Sequence, residues 1–318
     1  MYVNFLLSVP DTDCCSDEQE VIASPINPIN SIVVLFMEQI YIFTMVNKIN
    51  QDKIFIVRHS EFSIFDFMKL FLDNDHFIDT NSPLDLSIVL SDDIRNPRAW
   101  YVEPPRFEPV RTECYIGSVK EGGDVNFRDI YFNPHGHGTH TECLGHITEE
   151  IHSVNETMHN YFYRAKLVSI LPKRIERENG DIDFVITPEQ ISALDISDSE
   201  ALIIRTMPND ATKTSRNYSS SNPPYLDAAC AGIVIENGIE HLLIDLPSVD
   251  RESDGGVLAF HHAFWQVPHS PNYKRTITEL IYADNSIKDG AYILSFHIAP
   301  FNNDAAPSRP VLYDIKMR

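Results

Sequence analysis

The stretch Asn133–Ile147, NPHGHGTHTECLGHI, holds four histidines, one glutamate and one cysteine in fifteen residues. The whole chain of 318 residues has only thirteen histidines. Any fold open to this chain must therefore bring several imidazoles and a carboxylate to one place. In extended chain, residues two apart share a face, so His140 and Glu142 point the same way. A helix that starts near Glu142 sets His146 four residues on, on the same side. His135 or His137 reaches back from the preceding turn, where Gly136 and Gly138 let the backbone bend tightly. Imidazole and carboxylate together suit zinc, manganese or iron. The run lacks H-E-x-x-H, which excludes a zincin. "HTE" (His140–Glu142) matches half of a zinc-deaminase motif, but the partner P-C-x-x-C is missing. Cys143 reads as a small packing residue beside a buried site.

The flanks of this run set the fold class. "DVNFRDIYF" (Asp124–Phe132) alternates like a half-buried strand and leads straight into it. Downstream, "AKLVSIL" (Ala165–Leu171), "EALIIRT" (Glu200–Thr206), "IEHLLIDLPSVD" (Ile239–Asp250), "TITELIYA" (Thr276–Ala283) and "AYILSFHIAPF" (Ala291–Phe301) read as strands. "TPEQISALDI" (Thr187–Ile196) opens a helix with Thr187 as cap, Pro188 in the first turn and Gln190 completing a capping box. "PYLDAACAGIVIENG" (Pro224–Gly238) reads as a helix closed by glycine. Upstream, "SEFSIFDFMKLFLDND" (Ser60–Asp75) is apolar enough for a short helix, "LDLSIVLS" (Leu84–Ser91) for a strand, and the proline-rich "NPRAWYVEPPRFEPVR" (Asn96–Arg111) reads as loop. Interleaved strands and helices make the class α/β. We expect a single domain with a mixed β-sheet or barrel-like core and flanking helices.

Charge narrows the partners. Twenty-five basic against 46 acidic residues give −21, which argues against nucleic acid and anionic membrane. Five cysteines without repeated spacing give no disulfide framework, so a reducing, cytoplasmic setting is expected. "SIVVLFMEQIYIFTMV" (Ser31–Val46) is apolar but carries Glu38 and falls short of the roughly 20 residues a membrane span needs. It reads as a buried or partner-covered segment.

"GTHTECLGH" (Gly138–His146) resembles the H-x-G-T-H-x-D-x-P-x-H signature of the cyclase-like metal hydrolases, whose best-known members are the bacterial kynurenine formamidases. "LLIDLPSVD" (Leu242–Asp250), "LAFHHAFW" (Leu258–Trp265), "ITELI" (Ile277–Ile281) and "PSRPVLY" (Pro307–Tyr313) are similar to the family's later segments. The resemblance runs from Phe77 to the C-terminus and leaves 1–76 as an extension without counterpart. It implies a swivelling β/β/α fold and metal ligands at His140, Glu142, His146 and Glu279. The family's first histidine falls on Gly136, so His135 or His137 must replace it, with His135 preferred. Glu142 stands where aspartate is usual, and Leu144 and Gly145 replace the proline segment. The Leu-x-x-His spacing points to His261 as the downstream histidine, with His262 as alternative.

The resemblance implies hydrolysis of a small amide (a formamide, lactam or cyclic imide) by water activated on one or two divalent ions. Zn²⁺ is the first expectation and Mn²⁺ the second. His146 and His261 are the proton donors to the leaving nitrogen, and Glu279 bridges ions or orients water. N-formylkynurenine is the lead substrate, with Trp100, Tyr101 and Phe107 as candidate aryl contacts or as core. The opposing reading is a non-catalytic binding protein on the same fold. Family habit and the apolar Ser31–Phe36 lead us to expect a homodimer or larger homo-oligomer.

Overall fold

The computed structural model describes residues 68–318 and, upstream of them, four strands. The chain divides into two compact units, Met1–Asp66 and Phe67–Arg318. In the first, Gln19–Ile22, Ile32–Met37, Ile40–Met45 and Lys53–Arg58 form an antiparallel meander. The apolar segment Ser31–Val46 supplies its two central strands.

The second unit is built on seven strands. We label them β1 (His140–Glu142), β2 (Phe162–Ile170), β3 (Ala201–Thr206), β4 (His241–Ile244), β5 (Thr276–Glu279), β6 (Gly290–Ile298) and β7 (Ala305–Asp314). They pair in the order β1-β5-β4-β3-β2-β6-β7, and β1 pairs again with β7, which closes the sheet into a barrel. The run from β2 through β3 and β4 to β5 is parallel, and the remaining pairs are antiparallel. Closure leaves no free edge at β1, the strand that carries His140 and Glu142.

Parallel strands covered on both faces read as unbroken apolar runs, and β3 is buried at all six positions. The one-turn helix α1 (Val154–Thr157) precedes β2, and Leu202 and Ile204 on one face of β3 join Leu242, Ile244 and Ile277 beneath the helices α2 (Pro188–Ser192), α3 (Cys230–Glu236) and α4 (Ala259–Trp265). Ala201 and Ile203, on the other face, join Leu167, Leu243, Leu294, Phe296 and Leu312 inside the barrel. The architecture is the mixed α/β barrel-like core with flanking helices that the sequence leads one to expect.

Several local readings need correction. The helix expected over Ser60–Asp75 is not formed where it can be seen. Lys69–Phe71 is a strand paired with His76–Asp79, and Asp73 turns the chain by accepting from the backbone N–H of Asp75 and His76. Ser60–Phe67 lies outside the described residues. The strand expected over Leu84–Ser91 stops at Asp85, whose carboxylate takes the N–H of Ser87. Within the expected loop Asn96–Arg111, Arg106–Pro109 pairs with Arg128–Tyr131 as a hairpin. Helix α3 starts only at Cys230, because Tyr225–Leu226 joins a strand, Ile182–Ile186. Among the described residues, no helix is long and apolar enough to cross a membrane.

One buried histidine of the barrel lies apart from the cluster. His241 at the start of β4 is 2% exposed, its ring packs against Tyr163 and Phe296, and its Nδ1 bonds Thr276 Oγ1 at 2.8 Å. Burial pushes its pKa down from 6.5 to about 4. The unfolded chain therefore takes up a proton in a range where the folded chain refuses it. The stability tied to this group is intact above pH 6.5 and is lost as pH falls towards 4, to a total of about 3 kcal/mol. Urea unfolding of wild type and His241→Leu at pH 7 and pH 4.5 checks this. The variant should lose less stability between the two, and equal losses would assign the acid sensitivity to other groups.

Candidate metal centre

Pairing of β1 with β5 brings the first three groups together. His140 and Glu142 share a face of β1, and Glu279 lies directly opposite His140 across the antiparallel pair, so all three side chains project to the same side. Thr141, facing the other way, bonds Thr278 Oγ1 at 2.8 Å and holds the register. His140 Nε2 lies 3.5 Å from Glu279 Oε2 and 3.9 Å from Glu142 Oε2.

The turn before β1 and the segment after it supply two more imidazoles. His135 Nδ1 lies 2.9 Å from Glu142 Oε2. His146 sits on a 3₁₀ turn, Leu144–Ile147, with Nε2 3.9 Å from the same oxygen. That turn replaces the α-helix expected near Glu142. Gly145 permits it, since a Cβ there would overlap the backbone of His152. Gly136 is needed for a similar reason, because a Cβ would press on the Val102 side chain.

Helix α4 lays the fifth group over the site. His261 Nε2 is 3.0 Å from Glu142 Oε1, and its Nδ1 donates to Asp250 Oδ2 at 2.6 Å. Asp250 also accepts the backbone N–H of Phe260 and His261, so it fixes the helix start and the ring together. Val249 N–H donates to Glu279 Oε1 at 3.0 Å. His262 faces elsewhere, with Nδ1 3.3 Å from Val267 O.

His137 does not join the group. Its Nδ1 accepts from Asn133 N–H and its Nε2 donates to Glu103 O, both at 2.7 Å. Trp100 packs against Ala99, Tyr218 and Leu280 beside Glu279. Tyr101 is exposed and bonds Glu252, and Phe107 lies under the Arg128 guanidinium on the hairpin. Cys143 is buried and donates its thiol to His152 O, and burial pushes its pKa up. It packs as expected.

Two functional carboxylates escaped sequence reasoning. Asp304 Oδ2 is 3.0 Å from His135 Nε2 and 3.3 Å from His146 Nδ1. Asp250 lies inside a quoted segment, but nothing in its spacing tied it to His261. Asp304 precedes β7 in a polar loop, FNND, with no distinguishing pattern.

The electrostatics describe a site short of positive charge. Burial raises the Glu279 carboxyl, and the neighbouring Glu142 raises it further. Glu142 is driven the other way: burial is outweighed by His146, His135 and His261, which hold it well below the usual range. Burial would discharge His261, but Asp250 and Glu142 win and lift it to about 10. His135 is lifted likewise to about 10 by Asp304 and Glu142.

The donor set fits a metal ion. His140 Nδ1 donates to Gly138 O at 2.9 Å, so Nε2 is the nitrogen turned towards two carboxylates. That Nε2 and Glu142 Oε2 are buried without a hydrogen-bond partner. His135 Nδ1 comes within 2.9 Å of Glu142 Oε2 yet makes no hydrogen bond with it. Acceptors gathered around one point are what a cation relieves. His135, Glu142 and His146 form one such set, and His140, Glu142 and Glu279 a second.

Comparison with known proteins bears on the family and the fold. A family model described as putative cyclase matches residues 84–251. A solved structure described as a potential metal-dependent hydrolase with cyclase activity aligns at 16% identity and TM-score 0.53, covering 73% of this chain and 98% of that one. An isatin hydrolase bound to the product analogue thioisatinate aligns at 13% identity and TM-score 0.54, over 74% and 93% of the two chains. Isatin hydrolase A from Labrenzia aggregata, bound to benzyl benzoate, aligns at 15% identity and TM-score 0.52, over 73% and 93%. At these identities the structures share the fold. A sequence search of curated proteins returns no significant match.

Proposed function

The chain belongs to the putative cyclase family, and on that premise we propose that it is a metal-dependent hydrolase of small amides, with N-formylkynurenine as its lead substrate. The observation that carries the reading is the convergence of His135, His140, Glu142, His146, His261 and Glu279 around buried atoms that lack partners. His140, Glu142 and Glu279, with His135 and His146, would hold one or two divalent ions, Zn²⁺ before Mn²⁺. A divalent ion there supplies water acidified to a pKa of about 7 and positive charge for the carbonyl oxygen.

The chain's own groups do the rest. Two carboxylates among the ligands set the site apart from a structural zinc, which takes sulfur and nitrogen. Glu279, held by Val249 N–H, orients the attacking water. His261, outside that ligand set, carries the proton that the leaving nitrogen needs, because His146 has Nδ1 on Asp304 and Nε2 on the ligand side. The His146 side chain is 30% exposed and the His261 side chain 3%, so substrate meets His146 first. Trp100 and Tyr101 are the aromatic groups on the segment bonded to the His135 turn through Ala99 N–H and Gly136 O. We extend the proposal to a homodimer or larger assembly, supported by the exposed Phe127, Ile130 and Tyr131 on the hairpin.

Likeness to two isatin hydrolases favours a second substrate, a cyclic lactam on an aryl ring. Protein loaded with Zn²⁺ or Mn²⁺ and assayed against N-formylkynurenine, isatin and a cyclic imide decides between them. Faster turnover of N-formylkynurenine is the expected result. Metal-loaded protein that turns over none of the three would sink the hydrolase and favour the binding protein.

A further inference from the structure

Every imidazole of the site has one nitrogen tied by an acceptor, and the tie decides which nitrogen is left for an ion. For His140 the acceptor is Gly138 O, and for His261 it is Asp250. Both ties take Nδ1, so both rings turn Nε2 inward. His135 and His146 have no such private acceptor. They share one carboxylate oxygen, Asp304 Oδ2, which lies 3.0 Å from His135 Nε2 and 3.3 Å from His146 Nδ1. The two rings stack at 4.2 Å with 28° between their planes, so a single oxygen beyond their edge can reach both. His135 is thereby left with Nδ1 and His146 with Nε2 facing Glu142 Oε2.

We propose that Asp304 is the positioning residue of the metal centre, fixing which nitrogen His135 and His146 present and so building the half of the site that they line. The inference rests on the metal-hydrolase reading above. Asp304 sets no part of the His140–Glu279 half, which is tied through Gly138 and Val249. Its backbone contribution is separate: Asp304 O accepts Cys143 N–H, and that bond survives any change of side chain. The Asp304 side chain is 20% exposed, so replacing it leaves no closed cavity.

The test uses Asp304→Asn and Asp304→Ala in the full chain, with Zn²⁺ alone as the probe. Asn keeps the shape but puts one neutral oxygen, beside an amide that can only donate, where the carboxylate was, and Ala offers none. Zn²⁺ affinity, read by competition with a chelator, should fall about 10- to 100-fold in both. Nitrogen-15 NMR of the histidine rings in the Zn²⁺-loaded chain reads the tautomers directly. Wild type should show His135 bound through Nδ1 and His140 and His146 through Nε2, with His261 carrying a proton on Nδ1 towards Asp250. The variants should lose the fixed pattern at His135 and His146 and keep it at His140 and His261. Unchanged affinity and tautomers would overturn the role of Asp304 alone, and so would a loss spread equally over all four rings. A wild-type chain that takes up no Zn²⁺ would sink the metal reading itself, and this inference with it.

Discussion

His140→Ala should abolish metal uptake and hydrolysis together while the barrel stays folded. His140 is fully buried in β1, paired on one side with β5 and on the other with β7. Its backbone bonds are those of the sheet and do not depend on the ring. What the ring supplies is Nε2, which faces both Glu142 and Glu279. Without it the two carboxylates confront each other across a cavity, and one must take up a proton before either can be left there. An ion then loses a ligand and part of the charge that held it. A residue that only orients a ligand costs about 10–100-fold, so direct loss of one should exceed that. The cost to folding should be about 2–3 kcal/mol, the usual range for a buried truncation, and a domain of ordinary stability survives it. Elemental analysis, turnover and circular dichroism on the same preparation check the three parts. A variant with full metal content and full turnover would remove the metal centre from its proposed role.

Much of the barrel was legible because the parallel strands carry their own signal. "EALIIRT" holds the unbroken apolar run Ala201–Ile204 since β3 is covered on both faces, and its observed bounds differ by one residue. The turn into α2 was legible for a local reason. The Gln190 carboxamide oxygen accepts Thr187 N–H at 3.1 Å, three residues back, and neither group needs the rest of the fold. Readings failed where a distant partner decides. Tyr225–Leu226 has the look of a helix start, but Leu226 N–H bonds Val249 O, and that contact exists only after the fold closes. Lys69–Phe71 is similar: its apolar density suits helix or strand, and pairing with His76–Asp79 settles it. The site divides the same way. His140, Glu142 and His146 stand out by spacing. Asp304 lies 158 residues beyond His146 and reaches it only because β7 pairs with β1.

Of the two histidines that flank Gly136, His135→Ala should strip the site of metal affinity and His137→Ala should not. In extended chain both share a face, so alternation cannot separate them. The turn that contains them is not extended, however. Gly136 N–H folds back on the Asn133 side chain at 3.1 Å, and the two rings leave it in different directions. The His135 ring enters the cluster, 2.9 Å from Glu142 and stacked on His146. The His137 ring turns to the strand side, where it accepts from Asn133 N–H and donates to Glu103 O. Both of its nitrogens are spent on holding the turn, and neither is free for an ion. Losing them removes two part-buried hydrogen bonds, one from Asn133 N–H and one to Glu103 O, worth about 0.5–1.5 kcal/mol each in stability. His137→Ala should therefore lower the melting temperature more than the metal affinity, and His135→Ala the reverse. The measurement is Zn²⁺ affinity, turnover and thermal unfolding for both variants side by side. If His137→Ala loses its metal and His135→Ala keeps it, the ligand lies on the other side of Gly136 and the turn has been read in the wrong register.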